Sequence, residues 1–498
     1  MTRAQRIVLA AVALVAALHA LSFWGYGPCD DDYIAYDYAR SLVETGELAF
    51  NAGERVEGFS APGWMLVAAF AIACGEHPAD VSLVVSTLAL AVTAVAIGVL
   101  WFRRHPQDRF GAPAWLVAAS PALAWHAALG LGTVPLAALA AWAWERWDAA
   151  ERSERSPWFA AALFGLAAFV RNEAILLALP LAWSCLRRRR WVLLIEIFVP
   201  LAAWQIFRLA YFGRWVPTTY SVKKLDLLVD LRLGLEYLAD SSAATGLVLA
   251  LGLALVGASR RRADFVLRAL VGASALFVAY VIYVGGDFFP LARFFVPVLP
   301  LLLWGACEGF VALAGSRTVL AWLVALAALA FESLQQAQRP FLMATHRGSE
   351  PRWLAMGSAV AAAVPPDTRV ALAPIGCFKW SSRLYVIDML GLTNTKIAEV
   401  APDPNITIKG HTRYDAEWVL SQAPDMIVLG LGWFGIDART GERELRISSW
   451  EGTLYHHPRL DLQRGDYEGL VLDIPREQPL FFYWKRGRPR PIGARELD

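Results

Sequence analysis

Charge is scarce in this 498-residue sequence. Asp, Glu, Lys and Arg make up 18% of it, against 57% hydrophobic residues. With a mean hydropathy of +0.42, the composition lies well outside that of a soluble domain. The charges come in short bursts between long apolar runs, the pattern of repeated membrane crossing. A formal net charge of +2 offers no support for a nucleic-acid partner. Cysteine is also sparse. Cys29, Cys74, Cys185, Cys307 and Cys377 show no CxxC spacing and no histidine partners, which argues against a metal knuckle or a disulfide framework. Internal repeats and low-complexity tracts are lacking too. Tryptophan, by contrast, is abundant (21 residues), and for most of these an interfacial belt is the simplest reading.

Arg3 and Arg6 precede an apolar run from Ile7. We read this as an uncleaved anchor, because an acidic motif follows at once and more spans come later. A span needs ~20 apolar residues, fewer in short helices. Candidates are 7–23, 81–101, 112–128, 133–147, 158–170, 174–186, 191–211, 243–258, 266–284, 294–313 and 318–334. The stretch 61–74 is decided by charge. If it does not span, Arg103/Arg104, Arg146/Arg152/Arg155, Arg187 to Arg190, Arg260 to Arg262 and Arg317 all share the side of the N-terminus, as the positive-inside rule requires. It is therefore read as a juxtamembrane or re-entrant helix. This predicts an α-helical polytopic membrane protein of about eleven spans over 1–335, with an acidic first outer loop at 24–80. Residues 336–498 read as an extracytoplasmic α/β domain. Its strand-like runs are 369–373, 426–429, 470–474 and 480–484, and its helix-like stretches 352–363 and 414–422.

The predicted outer loops hold the unusual polar residues. Directly after the first span comes DDDYIAYDYARSLVETGELAFNAGERVEGF. Asp30, Asp31 and Asp32 repel one another, which raises the pKa of at least one of them. A carboxylate so placed can take a proton from a hydroxyl nucleophile, although acids at a helix start are also simply favoured there. Other outer loops offer Arg171 and Glu173, Arg208, Lys223 and Lys224, and Asp287 with Arg293. Arginine suits a phosphate, since its planar fork pairs two oxygens. Singly, each of these arginines reads best as an interfacial snorkel or a salt-bridge partner. Their convergence on one face favours chemistry with a phosphate-bearing donor.

The segment DDDYIAYDYARSLVETGELAFNAGERVEGFSAPGW resembles the first outer loop of the C-type glycosyltransferases, a family that includes the terminal arabinofuranosyltransferases of the mycobacterial cell wall. The resemblance continues through RNEA, PTTYSVK, YVGGDFFPLARFFVPVLP, VIDMLGLTN and GHTRYDAEWVLSQAPDMIVL, in order and over most of the chain. It implies a C-type glycosyltransferase fold in a bacterial inner membrane. It also implies a polyprenyl-phosphate-linked sugar as donor, a glycan, lipid or protein as acceptor, and a catalytic Asp at the end of the first span. On this reading Asp30 is the general base, and Asp31 orients the acceptor or tunes the base. Arg171, Arg208, Lys223, Lys224 and Arg293 hold the donor phosphate, supported by Asp32, Glu57, Glu173 and Asp287. His411 is a structural or acceptor-contacting residue. No metal ligands are assigned, and a divalent metal stays open. The sequence departs from the family at Asp32, where Ala is usual, at Asp37, where Arg is usual, at Gly132, where Glu is usual, and at Thr218, where Asn is usual. A lipid-linked-sugar flippase and an inactive glycan-binding relative are the rival readings. Surface acids without a visible repeat speak against the first, and Gly132 keeps the second open.

Overall fold

The computed structural model describes residues 1–315, 323, 349–406, 408–432, 434–436, 443–445 and 447–496. The chain divides into two compact units. A helical unit is built from Met1–Pro28, Ala61–Ala210 and Leu225–Ala344, and a mixed unit from Cys29–Ser60, Tyr211–Lys224 and Thr345–Asp498. Two stretches that the sequence assigns to membrane loops, 29–60 and 211–224, are thus built into the mixed unit.

In the helical unit, α1 (Arg3–Leu21) is capped by Thr2, and Gln5 of its first turn donates to the backbone oxygens of Pro106 and Asp108. The acidic segment that follows is α2 (Asp30–Thr45), which belongs to the mixed unit. Next come α3 (Pro62–Ala73), α4 (Pro78–Arg104), α5 (Ala112–Ala118) and α6 (Pro121–Leu129). The expected span 112–128 is therefore two helices. Pro121 lacks the N–H that would continue α5, and it sits at the first position of α6 with Ser120 as its cap. The chain continues through α7 (Thr133–Arg152), α8 (Trp158–Val170), α9 (Ile175–Arg187), α10 (Trp191–Phe212), the short α11 (Thr218–Lys223), α12 (Leu227–Thr245), α13 (Leu247–Arg260), α14 (Phe265–Tyr283) and α15 (Leu299–Ala314). Four of the described helical segments, Arg3–Tyr26, Pro78–Arg104, Trp191–Phe212 and Phe265–Tyr283, are long and apolar enough to cross a membrane. A fifth arises if α12 and α13, bent by 87° at Gly246, count as one. Pro62–Ala73, Trp158–Val170 and Leu299–Ala314 are apolar but shorter. The expected span 318–334 lies, apart from Leu323, outside the described residues.

Small residues bring α13 and α15 together. A Cβ on Gly309 would stand 1.8 Å from the Leu253 carbonyl oxygen, and one on Gly305 2.9 Å from the Ala254 methyl. The two glycines are four positions apart, so they line one stripe of α15 and let the backbones touch, as in small-residue packing between membrane helices.

The mixed unit carries a six-stranded sheet in the order β2-β1-β3-β7-β6-β8. The strands are β1 (Arg369–Leu372), β2 (Tyr385–Asp388), β3 (Met426–Ile427), β6 (Tyr467–Leu472), β7 (Leu480–Lys485) and β8 (Arg495–Glu496); β4 (Phe434–Ile436) and β5 (Arg443–Leu445) pair separately. β1 runs parallel to β2 and β3, and the remaining pairs of the large sheet are antiparallel. Its core includes Ile387, Ile427, Val471, Phe481 and Tyr483. The four expected strand runs correspond to β1, β3, β6 and β7. Strand β2 and α17 (Ile375–Ser382), which follows α16 (Ser349–Ala363), went unread in the sequence.

Candidate active site

In the mixed unit the site begins with α2, whose first turn is the acidic triplet. Asp32 turns back along its own helix, where one carboxylate oxygen accepts from the Cys29 backbone N–H (3.1 Å) and lies 3.3 Å from the Cys29 thiol sulfur. It closes the helix start. Asp30 turns instead to the first turn of α17. Its two oxygens accept the backbone N–H groups of Gly376 (3.2 Å) and Cys377 (2.7 Å). Only glycine allows this approach, since a Cβ on Gly376 would stand 2.1 Å from the Asp30 carbonyl oxygen. On its other side, α17 meets α16 through Gly357, where a Cβ would come within 2.6 Å of the Phe378 carbonyl oxygen.

Further along α2, the buried Arg40 pairs with Asp37, stacks over the Trp380 ring at 4.4 Å and donates 2.7 Å to the Trp380 carbonyl near the end of α17. α2 thus offers an anion to the N-terminus of α17 and a cation to its C-terminal turn, matching the helix dipole at both ends. Burial raises Asp30 from its ordinary 3.8 to about 6, with Asp31 adding to the rise and the N–H groups of Cys377 and Gly376 opposing it. Burial also lifts Glu350, in the first turn of α16, to about 7, helped by Asp30 and Asp31.

His411 lies in reach of the same charges. Burial pushes its imidazole below the usual value; Lys223 adds to this, while Asp31, Asp388 and the Lys409 carbonyl oppose it. Asp31, Lys223 and His411 therefore share one electrostatic neighbourhood. Lys224 is placed through its backbone, its carbonyl accepting 2.8 Å from Arg413. Glu57 is buried, and its backbone oxygen accepts from the Thr218 N–H at 3.1 Å. The Thr218 hydroxyl lies 2.7 Å from that same oxygen and 2.6 Å from the Leu392 carbonyl. Leu392 belongs to the VIDMLGLTN loop, whose Asp388 carboxylate accepts from the N–H groups of Leu390, Gly391 and Thr393. These family-like motifs meet as backbone scaffolding.

In the helical unit a second group forms around Phe294. Arg171, where α8 ends, donates to Glu173 (2.6 Å) and faces the Phe294 ring at 6.0 Å. Arg293 pairs with Asp287, both nearly fully buried, and faces the same ring at 5.2 Å and Phe289 at 4.0 Å. The loop carrying them is shaped by Leu291 and Ala292, both with positive φ (56° and 62°). His126 of α6 contacts the Pro290 and Leu291 carbonyls, each at 3.1 Å from Nε2. Nε2 must then carry the proton. His126 is a residue that sequence reasoning missed, since a lone histidine in an apolar helix gives no signal. Arg208 lies within α10, buried, with Nη1 donating 2.6 Å to Gln205. Gly132 has a φ of +74°, and a Cβ there would stand 2.9 Å from Trp64, whose indole donates to the Gly130 carbonyl at 2.6 Å. The indole occupies the space that a glutamate side chain would need. Among the described residues, no group of three or more His, Cys, Asp or Glu side chains is placed to hold a metal.

A family model described as "Domain of unknown function (DUF8728)" matches residues 338–469. No curated protein matches significantly. Among solved structures, the chain is similar to crystal structures of ArnT from Cupriavidus metallidurans. The apo form shares 14% identity at a TM-score of 0.49, and the form bound to undecaprenyl phosphate 12% at 0.48. Each match covers 78% of this chain and 86% of the other. At these values the likeness leaves the activity to be argued from this chain's own residues.

Proposed function

We propose that this multi-pass membrane protein is a glycosyltransferase of the polyprenyl-phosphate-sugar class, working on the extracytoplasmic face of a bacterial inner membrane. The observation that carries the reading is the state of Asp30. A carboxylate held by two neutral N–H donors, with burial pushing it up to about 6, remains ionised near neutral pH yet is basic enough to accept a proton. In the proposed step an acceptor hydroxyl passes its proton to Asp30 while its oxygen bonds to the anomeric carbon of the donor sugar. The bond from that carbon to the phosphate oxygen breaks, and its electron pair leaves with the polyprenyl phosphate. Asp31 orients the acceptor; Arg171 and Arg293, positioned by Glu173 and Asp287, hold the departing phosphate. Lys223, Lys224 and Arg208 are assigned to the same charge. About eleven spans, a membrane domain over 1–335, an outer domain over 336–498 and a cell-envelope acceptor complete the proposal, with the arabinofuranosyltransferases as the subfamily it resembles.

The test is transfer in vitro from a panel of polyprenyl-phosphate sugars by the purified full chain. Turnover of any donor that disappears in Asp30→Asn supports the reading. Lipid translocation without sugar transfer would make the protein a flippase, and glycan binding without either would make it an inactive relative. Cysteine-accessibility labelling near Arg188, Arg261 and Ser349 tests the orientation: the first two should be labelled inside and the last outside.

A further inference from the structure

Ion pairs draw the ends of several helices of the helical unit together. Arg103 at the end of α4 reaches Glu145 of α7 at 2.6 Å, and Arg104 bridges Asp148 of α7 to Asp264, which caps α14. Arg188, just past α9, holds Glu151 of α7 at 2.9 Å. Arg261, just past α13, reaches Glu308 of α15 at 2.6 Å, and His105 meets the same carboxylate at 3.1 Å. Three acids of this network, Glu145, Asp148 and Glu308, are fully buried, and Glu151 and Asp264 are partly buried. What this end turns outward is arginine, at Arg155, Arg187, Arg189, Arg260 and Arg262, with Glu154 beside them.

Exposed indoles flank the same run. Trp183 and Trp191 bracket Arg187 to Arg190, and Trp158 follows Arg155; each is 58% exposed. Indoles left open beside long apolar helices mark the bilayer–water boundary. Exposed arginines beside that boundary stand at the level of the phosphates, and their forks fit two phosphate oxygens at once.

We infer that this arginine-rich end of the helical unit is a binding surface for anionic phospholipid headgroups. Glu145, Asp148 and Glu308 are already paired, with Arg103, Arg104 and Arg261 respectively, and do not compete, so the outward arginines are presented to lipid. The adjoining indole belt favours a lipid surface over a soluble polyanion, which would need no apolar collar. The inference stands apart from the transferase reading and needs no sugar donor to test.

The experiment is native mass spectrometry of the full chain extracted from nanodiscs of equimolar phosphatidylcholine and phosphatidylglycerol. The wild type should retain phosphatidylglycerol over phosphatidylcholine, and less of it as salt is raised. The double variants R187Q/R189Q and R260Q/R262Q should each lower that retention by roughly tenfold or more. The matching lysine variants, which keep charge without the fork, should fall between. Equal retention of the two lipids by the wild type would overturn the inference, whatever the variants do. So would unchanged phosphatidylglycerol retention in both glutamine variants with wild-type helicity and elution, as expected if the patch instead served an acidic protein.

Discussion

The two groups of candidate residues handle charge in opposite ways. In the helical unit, Arg171 and Arg293 are each closed onto a carboxylate, Glu173 and Asp287, around a single phenyl ring. In the mixed unit, the Asp30 carboxylate meets the neutral N–H groups of Gly376 and Cys377. A guanidinium locked by its acid gains direction, and its net charge is largely cancelled until an anion arrives to share it. A carboxylate held by neutral donors and pressed by burial keeps its charge but gains basicity. Direction suits a group that must hold a phosphate, and basicity suits one that must take a proton.

The sharpest way to break this comparison is to neutralise one acid at a time. Asp30→Asn should lower transfer by about 10²–10⁴-fold with little change in donor affinity, while Asp32→Asn, whose carboxylate closes a helix start, should stay within a few-fold. Single-turnover assays on both variants decide it; the reverse order would move the base to Asp32. Next in size are Arg293→Lys and Arg171→Lys, which keep charge but lose the fork. Each should cost roughly 10–100-fold in kcat/KM, the equivalent of one or two charged hydrogen bonds. Near-normal turnover in both would make them interfacial arginines of structural value only.

Gly376→Ala sharpens the comparison from the other side. The added methyl must push α17 off α2, at about 1–3 kcal/mol of stability by unfolding midpoint. Asp30 then loses donors that favour its charged form, so the acid limb of the pH–rate profile, expected near pH 6 in the wild type, should move to higher pH. An unchanged limb would mean that the contact does not position the base. The sign for stability is distinct. Folded Asp30 holds its proton up to about 6 while the unfolded chain releases it near 3.8. This group's contribution is therefore most favourable below the lower value, declines as pH rises through the window, and is constant above it. Asp30→Asn should flatten that decline. Smallest is the helix-closing effect of Asp32: Asp32→Ala should lower stability by about 0.5–2 kcal/mol through the loss of its bond to the Cys29 N–H.

The long apolar runs were legible as helices because burial in lipid or protein demands the same residues. The break at Ser120–Pro121 was legible too, in the serine–proline step, but the apolar length of 112–128 outweighed it. β1, β6 and β7 announced themselves as short apolar runs between turn residues. β2 reads as part of a motif rather than a strand, because it is short and finds its partner β1 across a helix. At the site, the acids and arginines could be picked out by residue type. Their partners could not: nothing near Asp30 in the sequence points to Gly376 or Cys377, which meet it from 346 and 347 residues away. The fate of Asp32 was equally hidden, since a triplet of identical acids does not say which one turns back.

That separation also governs how the protein comes into being. Asp30 leaves the ribosome long before Gly376, by roughly 17–70 s at ordinary synthesis rates of ~5–20 residues per second. Until then α2 has no α17 to lie against, and the three segments of the mixed unit cannot close. The membrane helices between them are made and inserted while that acidic helix waits as an unpartnered nascent segment. A fragment that starts at residue 336 lacks the helix that Gly376 is shaped to receive.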